Sequence, residues 1–308
     1  MHFRQLDLNL LVALDALLTE RSITEAGRRL HITQSAMSGS LARLREYFGD
    51  ELLVQIGRKM VPTPLAETLA EPVREILLKV KATVETKPGF DPATSTRRFS
   101  LMMSDYVSTV LINEVLQHIE RTAPHVSFEI VSNDMTSPGE ALEHGDIDLL
   151  IMPRDHLSKA HPYEVLFADG YACVVWNENP AVQGPISQQE YLQLGHVCVQ
   201  LSRGRAPVLD EWFLSRLGVN RRIDVIAMNF NAVPQYIVGT HRIGTIHRRM
   251  ARYYSRYLPL RVIPCPYDIP PIVEAMQWHK YFDRDPGLAW LRGILKEVSA
   301  ALEPADPG

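Results

Sequence analysis

The stretch Ser22–Arg45, SITEAGRRLHITQSAMSGSLARLR, decides how the first part of this chain folds. Ser22 is followed three residues later by Glu25, which is the spacing of a capping box and predicts that a helix begins there. His31 and Ile32 then form a predicted tight turn, after which Thr33 can cap a second helix. Two short helices joined by a turn of this length predict a helix-turn-helix unit.

The second of these helices has one apolar face and one small, polar face. Its apolar residues fall within a narrow arc at helical spacing: Met37, Leu41, Leu44 and Phe48. If this arc faces inward, the opposite face is slim enough to enter the major groove of DNA. We therefore predict base or groove contacts from Gln34, Ser35, Ser38 and Arg43. A three-helix domain with a purely structural role would show the same pattern and is the alternative.

Positive charge is concentrated around this unit. Residues 21–45 contain five arginines and one glutamate. Apolar and polar residues then alternate over Leu52–Val61 on both sides of Gly57-Arg58-Lys59, which predicts a hairpin wing with a basic tip. Residues 1–61 are thus predicted to be a winged helix-turn-helix domain. Phosphate contacts are predicted for four basic residues, for which a solvated surface is the alternative: Arg28, Arg29, Arg58 and Lys59.

Residues 62–88 are predicted to form a long linker helix. Thr63 as cap and Pro64 at the first helical position start it, and Pro88-Gly89 ends it. Pro72 is expected to kink the helix. Its apolar seam has heptad spacing and predicts pairing with a second copy of the chain: Leu69, Val73, Ile76 and Val80.

Residues 89–308 alternate between strand and helix patterns. This alternation predicts an α/β domain with doubly wound, parallel sheets, and the strands are too numerous for one small sheet. We therefore predict two lobes with a cleft between them. Lobe I covers about residues 97–167 and 267–302, and lobe II about residues 168–266.

Composition narrows the function classes. A net charge of −4 excludes a binder that is basic over its whole surface, and 46% hydrophobic residues indicate a globular chain. Three widely spaced cysteines form no disulfide framework, and the apolar stretch Leu6–Leu18 is short and interrupted, so we expect a cytoplasmic protein. No nucleophile elbow, phosphate loop or dinucleotide fingerprint is present, and the histidines lack metal-ligand spacing, so neither an enzyme nor a metal site is expected.

Several segments resemble the LysR-type transcriptional regulators. They are DLNLLVALDALLTERSITEAGRRL from Asp7, TQSAMSGSLARLR from Thr33 and PTPLAETLAEPVREIL from Pro62. Later segments extend the resemblance toward the NodD-like nodulation regulators and the regulators that sense salicylate and nitroaromatics: FDPATSTRRFSLMMSD from Phe90, DEWFLSRLGVNRRIDV from Asp210 and AMQWHKYFDRDPGLAWLR from Ala275. The resemblance implies a homodimer or homotetramer that binds promoter DNA and contacts RNA polymerase. It also implies a periplasmic-binding-protein-like effector domain that holds a small aromatic inducer between its lobes.

Candidate effector contacts lie where strands end and helices begin, which is where doubly wound sheets bind ligands. They are Ser104, Asp105, Asn133, Pro153, His196, Gln200, Phe230 and Asn231. Helix capping is the alternative for Ser104 and Asp105, and a hydrogen-bonded core position is the alternative for His196. Because Asp105 would repel a carboxylate, a neutral phenolic or flavonoid-like inducer is favoured over an acid.

The predicted function is therefore ligand-responsive transcription regulation with no cofactor other than the inducer, and the resemblance implies either an activator or a repressor. Two alternatives are a constitutive DNA-binding regulator without an effector and, less favoured, an enzyme built on the two-lobed domain.

Overall fold

The structure is a computed structural model that describes residues 6–57, 59–85, 89–131, 137–200 and 209–302. The chain divides into two compact units, one up to Thr86 and one from Lys87 onward.

The N-terminal unit is a winged helix-turn-helix followed by one long helix. Its elements are α1 (Leu8–Glu20), α2 (Ile23–Arg29), α3 (Gln34–Phe48), β1 (Leu53–Ile56), β2 (Lys59–Pro62) and α4 (Pro64–Glu85). Side-chain oxygens of Asp7, Ser22 and Thr33 accept backbone N–H groups and start the first three helices. Only half of the predicted capping box forms, because the Glu25 carboxylate pairs with Arg28 at 2.5 Å.

The turn between α2 and α3 depends on a close backbone approach. His31 takes a left-handed conformation with φ 55°, and the Ile32 N–H donates to the Gly27 carbonyl at 2.9 Å. A Cβ atom on Gly27 would lie 3.0 Å from the Ile32 carbonyl oxygen, so this position favours glycine. Met37, Leu41 and Leu44 are buried as predicted, which fixes the face that α3 turns outward.

The apolar seam predicted on α4 does not form one exposed stripe. Val73 is 4% exposed and, with Leu69, packs into the core of the N-terminal unit, because Arg74 pairs with Asp15 of α1 at 3.3 Å and holds α4 against it. The solvent-exposed apolar residues of α4 are Leu65, Ile76 and Val84.

The C-terminal unit contains two five-stranded sheets. The lobe I strands are β3 (Arg98–Met102), β4 (Ser127–Val131), β5 (Leu149–Pro153), β6 (Tyr163–Asp169) and β12 (Ile272–Gln277), in the order β4-β3-β5-β12-β6. The lobe II strands are β7 (Tyr171–Trp176), β8 (Gly195–Val199), β9 (Arg222–Ala227), β10 (Ile243–His247) and β11 (Leu260–Pro264), in the order β11-β7-β10-β8-β9.

The predicted α/β class and two-lobed architecture are confirmed, but the sheets are mixed rather than parallel. In each sheet four strands run in one direction and one runs against them, namely β12 in lobe I and β7 in lobe II. The antiparallel strands lie beside the two crossovers, where the chain passes from β6 to β7 and returns from β11 to β12. A chain that changes lobes twice re-enters each sheet in the opposite direction, which local alternation does not reveal.

Helices cover both sheets. They are α5 (Asp105–Val107), α6 (Asn113–Ile119), α7 (Pro138–Glu143), α8 (Gln188–Gln193), α9 (Leu209–Arg216), α10 (Ala232–Ile237), α11 (Arg248–Ser255) and α12 (Pro286–Ala301). A π-helical segment, Ser108–Ile112, joins α5 to α6. Among the described residues, no helix combines the length and apolar character needed to cross a membrane.

Candidate DNA-binding surface and interlobe site

The outward face of α3 carries the four predicted groove-contact residues. Gln34, Ser35, Ser38 and Arg43 are all exposed. The Ser35 hydroxyl lies 3.0 Å from the Thr33 hydroxyl at the start of the helix. Arg43 pairs with Asp7 at 3.3 Å, although both side chains remain more than half exposed. An ion pair this exposed contributes about 0–1 kcal/mol, so Arg43 can exchange Asp7 for a DNA group at little cost.

The predicted phosphate contacts are also exposed where the structure describes them. Arg28 pairs with Glu25, and Arg29 pairs with Glu20 at 3.2 Å. Lys59 is exposed at the start of β2, while Arg58 lies outside the described residues.

Two other arginines of this unit have structural roles. Arg45 donates to the carbonyls of Glu51 and Leu53 at 2.8 and 2.7 Å and so fastens α3 to the wing. Arg74 is mostly buried and, besides pairing with Asp15, lies 3.3 Å from the Thr19 hydroxyl. The basic charge of the unit is thus divided between groups that hold it together and groups that face solvent.

In the C-terminal unit, Asp105 connects the two lobes. It starts α5 in lobe I, and its carboxylate accepts the backbone N–H groups of Phe230 and Asn231 in lobe II at 3.2 and 2.7 Å. Thr109, one turn further along, donates its hydroxyl to the Asn231 side-chain oxygen at 3.0 Å. The structure therefore brings Asp105, Phe230 and Asn231 together, as contacts between lobes.

A second connection surrounds Asp169 at the end of β6. Its carboxylate accepts the Tyr106 hydroxyl from lobe I at 2.7 Å and the Arg249 N–H from lobe II at 3.1 Å. The Tyr106 ring stacks on His247 with centroids 3.9 Å apart. Burial raises the pKa of Asp169 and lowers that of His247 to about 3, so the imidazole is neutral.

Glu274 of β12 is a further buried carboxyl near this connection. It is 2% exposed, and burial, together with the negative charge of Asp169, raises its pKa to about 8. Glu274 is therefore mostly protonated at neutral pH, which avoids two like charges in one buried site.

The remaining effector candidates have different surroundings. Ser104 caps α5 by accepting the Val107 N–H at 3.3 Å. His196 is fully buried in lobe II, where its Nε2 lies 2.8 Å from the Tyr191 carbonyl and burial lowers its pKa to about 4. That arrangement matches the core-histidine alternative.

Pro153 ends β5 opposite Glu274, and Gln200 follows β8 with its N–H donated to the Ala227 carbonyl. Both positions are partly exposed. Asn133 lies outside the described residues.

Glu143, His161 and His279 form a cluster that sequence spacing did not reveal. Their potential ligand atoms lie within 4.8 Å of one another. However, Nδ1 of each imidazole accepts a backbone N–H, from Lys280 at 3.3 Å and from Tyr281 at 3.2 Å. Each neutral ring then carries its proton on Nε2, and that of His161 faces Glu143 at 2.9 Å. This pattern favours a hydrogen-bond network over metal ligation.

Sequence reasoning missed Tyr106, Asp169, His247 and Glu274 at the lobe junction. Tyr106 directly follows a predicted site residue, so position along the chain was a usable signal. Asp169 ends a strand that was not predicted, and Glu274 lies within a strand whose neighbours are set by the return crossover.

The N-terminal unit presents the exposed, basic face of α3, and the C-terminal unit is a two-lobed α/β domain. Together they define a class of protein: transcriptional regulators that bind DNA and carry an effector-binding domain. The chain belongs to the LysR family of that class. The profile of the bacterial regulatory helix-turn-helix protein, lysR family, matches residues 8–67, and that of the LysR substrate binding domain matches residues 93–300.

Relatives span the whole chain. It is 42% identical to Nodulation protein D 1 of Bradyrhizobium elkanii over 99% of this chain and 97% of that one. It is also 42% identical to Nodulation protein D 1 of Rhizobium meliloti, strain 1021, over 99% and 98%. The predicted membership and the resemblance to nodulation regulators are confirmed.

Solved structures agree with this assignment. A probable transcriptional regulator from Pseudomonas aeruginosa superimposes with a TM-score of 0.65 and 31% identity over 96% of this chain and 98% of that one. Full-length CbnR complexed with its target DNA superimposes with a TM-score of 0.58 over 96% and 100%. At 13% identity that second likeness concerns the fold alone.

Proposed function

We propose that this regulator binds a small, neutral aromatic inducer of phenolic or flavonoid-like type between its two lobes and activates transcription in response. The observation that carries the proposal is the polar junction between the lobes. Asp105 and Asp169 hold lobe II through three backbone N–H groups, those of Phe230, Asn231 and Arg249. A ligand that competes with or reinforces such contacts changes the angle between the lobes.

The charge at the junction supports a neutral ligand. Asp105 accepts two backbone N–H groups, and the Asp169 carboxylate adds negative charge nearby, whereas Glu274 is mostly protonated. A carboxylate ligand would meet repulsion from these groups, whereas a phenolic hydroxyl can donate a hydrogen bond to them.

On the DNA side, we infer that α3 reads base edges through Gln34, Ser35, Ser38 and Arg43. Arg28, Arg29, Arg58 and Lys59 then contact phosphates. Two copies present two such helices and read a two-fold related site with half-sites about one helical turn apart, or a multiple of that.

Self-association uses exposed apolar residues of α4. Ile76 and Val84 are 47% and 78% exposed and lie eight residues apart, which places them on the same helix face. Pairing through this face gives a dimer, and association of dimers gives a tetramer that contacts RNA polymerase at the promoter. Replacing Val84 with Glu is expected to lower the oligomer mass in light scattering, whereas the same replacement at the exposed Thr68 is not.

The chain acts in the cytoplasm and has no catalytic step of its own. Both inferences are supported by its role as a regulator of transcription, because such a protein acts by binding DNA and a ligand and does not convert a substrate.

A titration tests the ligand class. The full-length protein is titrated with hydroxylated flavones and flavanones and, separately, with salicylate, by calorimetry. We expect saturable binding of the neutral phenolics and weak or no binding of the acid. A clear preference for salicylate would contradict the charge argument.

A further inference from the structure

Two of the three cysteines meet in lobe II although they are far apart in sequence. Cys173 lies on β7 directly opposite Ile263 of the antiparallel strand β11, and Cys265 follows Ile263 by two residues, just past the end of that strand. Both cysteines pack in the same apolar cluster, and because Cys265 is two residues beyond Ile263 along the chain, it lies on the same face of the sheet as Cys173, diagonally across from it. Both are present as free thiols.

The two thiols differ in chemical character. The hydrogen bond from Cys173 lowers the pKa of Cys265, because it stabilises the Cys265 thiolate. The same contact, together with burial, raises the pKa of Cys173. Cys265 is thus the more reactive sulfur, with Cys173 beside it as a neutral thiol.

The positive charge of Arg221 stabilises the thiolate form of these cysteines, and two hydroxyl groups lie between Arg221 and Cys173. The Cys173 sulfur lies 3.7 Å from the Thr245 hydroxyl, which is 2.7 Å from the Tyr191 hydroxyl. Arg221 donates to Tyr191 at 3.2 Å, and its positive charge favours the thiolate form of both cysteines.

Small molecules can reach one of the two sulfurs. Cys265 is partly exposed and lines an open groove of about 990 Å³ together with Tyr171, Tyr267 and Pro264, whereas Cys173 is fully buried. The third cysteine, Cys198, is buried elsewhere in the sheet, and burial raises its pKa to about 12.

We propose that Cys265 and Cys173 are a peroxide-reactive thiol pair that forms a reversible disulfide. The Cys265 thiolate attacks one oxygen of a hydroperoxide, which cleaves the O–O bond, gives a sulfenic acid on Cys265 and releases hydroxide or alkoxide. Cys173 then loses its proton and attacks the Cys265 sulfur. The S–S bond forms, the S–O bond breaks, and water leaves. One peroxide is reduced and two thiols are oxidised.

The position of the pair links this chemistry to the lobe junction. Cys173 lies three residues after the first crossover at Gly170, and Cys265 begins the second crossover, which leads to β12 at Ile272. A covalent bond between them fastens the lobe II ends of both crossovers together. Oxidation therefore restricts the movement of one lobe against the other, independently of any inducer.

The test uses the full-length, reduced protein with hydrogen peroxide as the probe. Free thiols are counted in denaturant, and peptides are mapped by mass spectrometry without reduction. We expect the thiol count to fall from three to one, a peptide joining Cys173 to Cys265, and full reversal by dithiothreitol. Cys198→Ser is the matched control and should give the same cross-linked peptide.

Two variants complete the design. Cys265→Ser should leave Cys173 as a free thiol after peroxide, and Cys173→Ser should stop the reaction at an oxidised Cys265 without a cross-link. A cross-link that includes Cys198, or oxidation of Cys265 to sulfinic acid in the unsubstituted chain without any cross-link, would overturn the proposal. An unchanged count of three thiols would overturn it equally.

Discussion

Asp105→Asn is the substitution that most directly probes how the lobes are held together. In the structure one carboxylate oxygen accepts the Phe230 N–H at 3.2 Å and the other accepts the Asn231 N–H at 2.7 Å. Asparagine has the same shape but only one acceptor oxygen. Its amide N–H₂ group then faces a backbone N–H donor, so one hydrogen bond is lost and the other becomes neutral.

The size of the effect follows from the two bonds. A hydrogen bond to a charged group contributes about 1.5–3 kcal/mol and a neutral one about 1 kcal/mol. Losing one charged bond and weakening the second therefore costs roughly 2–4 kcal/mol at the junction. Since about 1.4 kcal/mol is a factor of ten, the local opening equilibrium shifts by roughly 30- to 1000-fold.

Amide hydrogen exchange measures that opening at the residues concerned. In the full-length protein, the peptide that covers residues 226–234 should exchange faster in Asp105→Asn by that factor, while core strands keep their rates. Asp155→Asn is the matched control, because the Asp155 side chain is 81% exposed and contacts only its neighbour Arg154 in the described structure. Equal exchange in Asp105→Asn and the parent protein would refute the assignment of Asp105 as an interlobe contact.

Three further outcomes are expected. Glu274 has a folded pKa of about 8 against 4.5 in the unfolded chain, so the parent protein should lose stability as pH rises through that window, by about 1.4 kcal/mol per pH unit. Glu274→Gln should remove this loss in urea unfolding measured from pH 5 to 8, and parallel pH profiles would contradict the assignment. Lys59→Ala should weaken binding to all DNA sequences and reduce the salt dependence by about one ion, and an unchanged slope would remove Lys59 from the phosphate contacts. Gly27→Ala should destabilise the N-terminal unit by roughly 1–3 kcal/mol, because its Cβ would press on the Ile32 carbonyl. Gly39→Ala, with open space around it, should instead stabilise α3 by about 0.5–1 kcal/mol, and equal effects would contradict the packing argument.

The helix-turn-helix could be predicted because its determinants are local. Ser22 and Thr33 cap their helices within three residues, and the Met37–Leu44 arc sets the buried face. Such contacts are encoded in short stretches, so helix bounds and outward residues both followed from the sequence.

Other elements could not be predicted because their partners are distant. Strand β6, Tyr163–Asp169, is an edge strand without regular alternation, and it is held by β12, which lies about a hundred residues later. Helix α8, Gln188–Gln193, buries only Tyr191 and so has no periodic signal. The site residues behave likewise: the Tyr106–His247 stack exists only because the two lobes meet.

A footprint on the DNA upstream of the gene for this protein tests the central claim most directly. The full-length regulator is bound to that DNA with and without hydroxylated flavones and flavanones. We predict a two-fold related footprint whose extent or pattern of enhanced cleavage changes when an active phenolic compound is added, because the ligand alters the lobe angle and so the DNA bend. The account would be contradicted if no compound that binds in calorimetry changed the footprint. That result would favour a constitutive DNA-binding regulator.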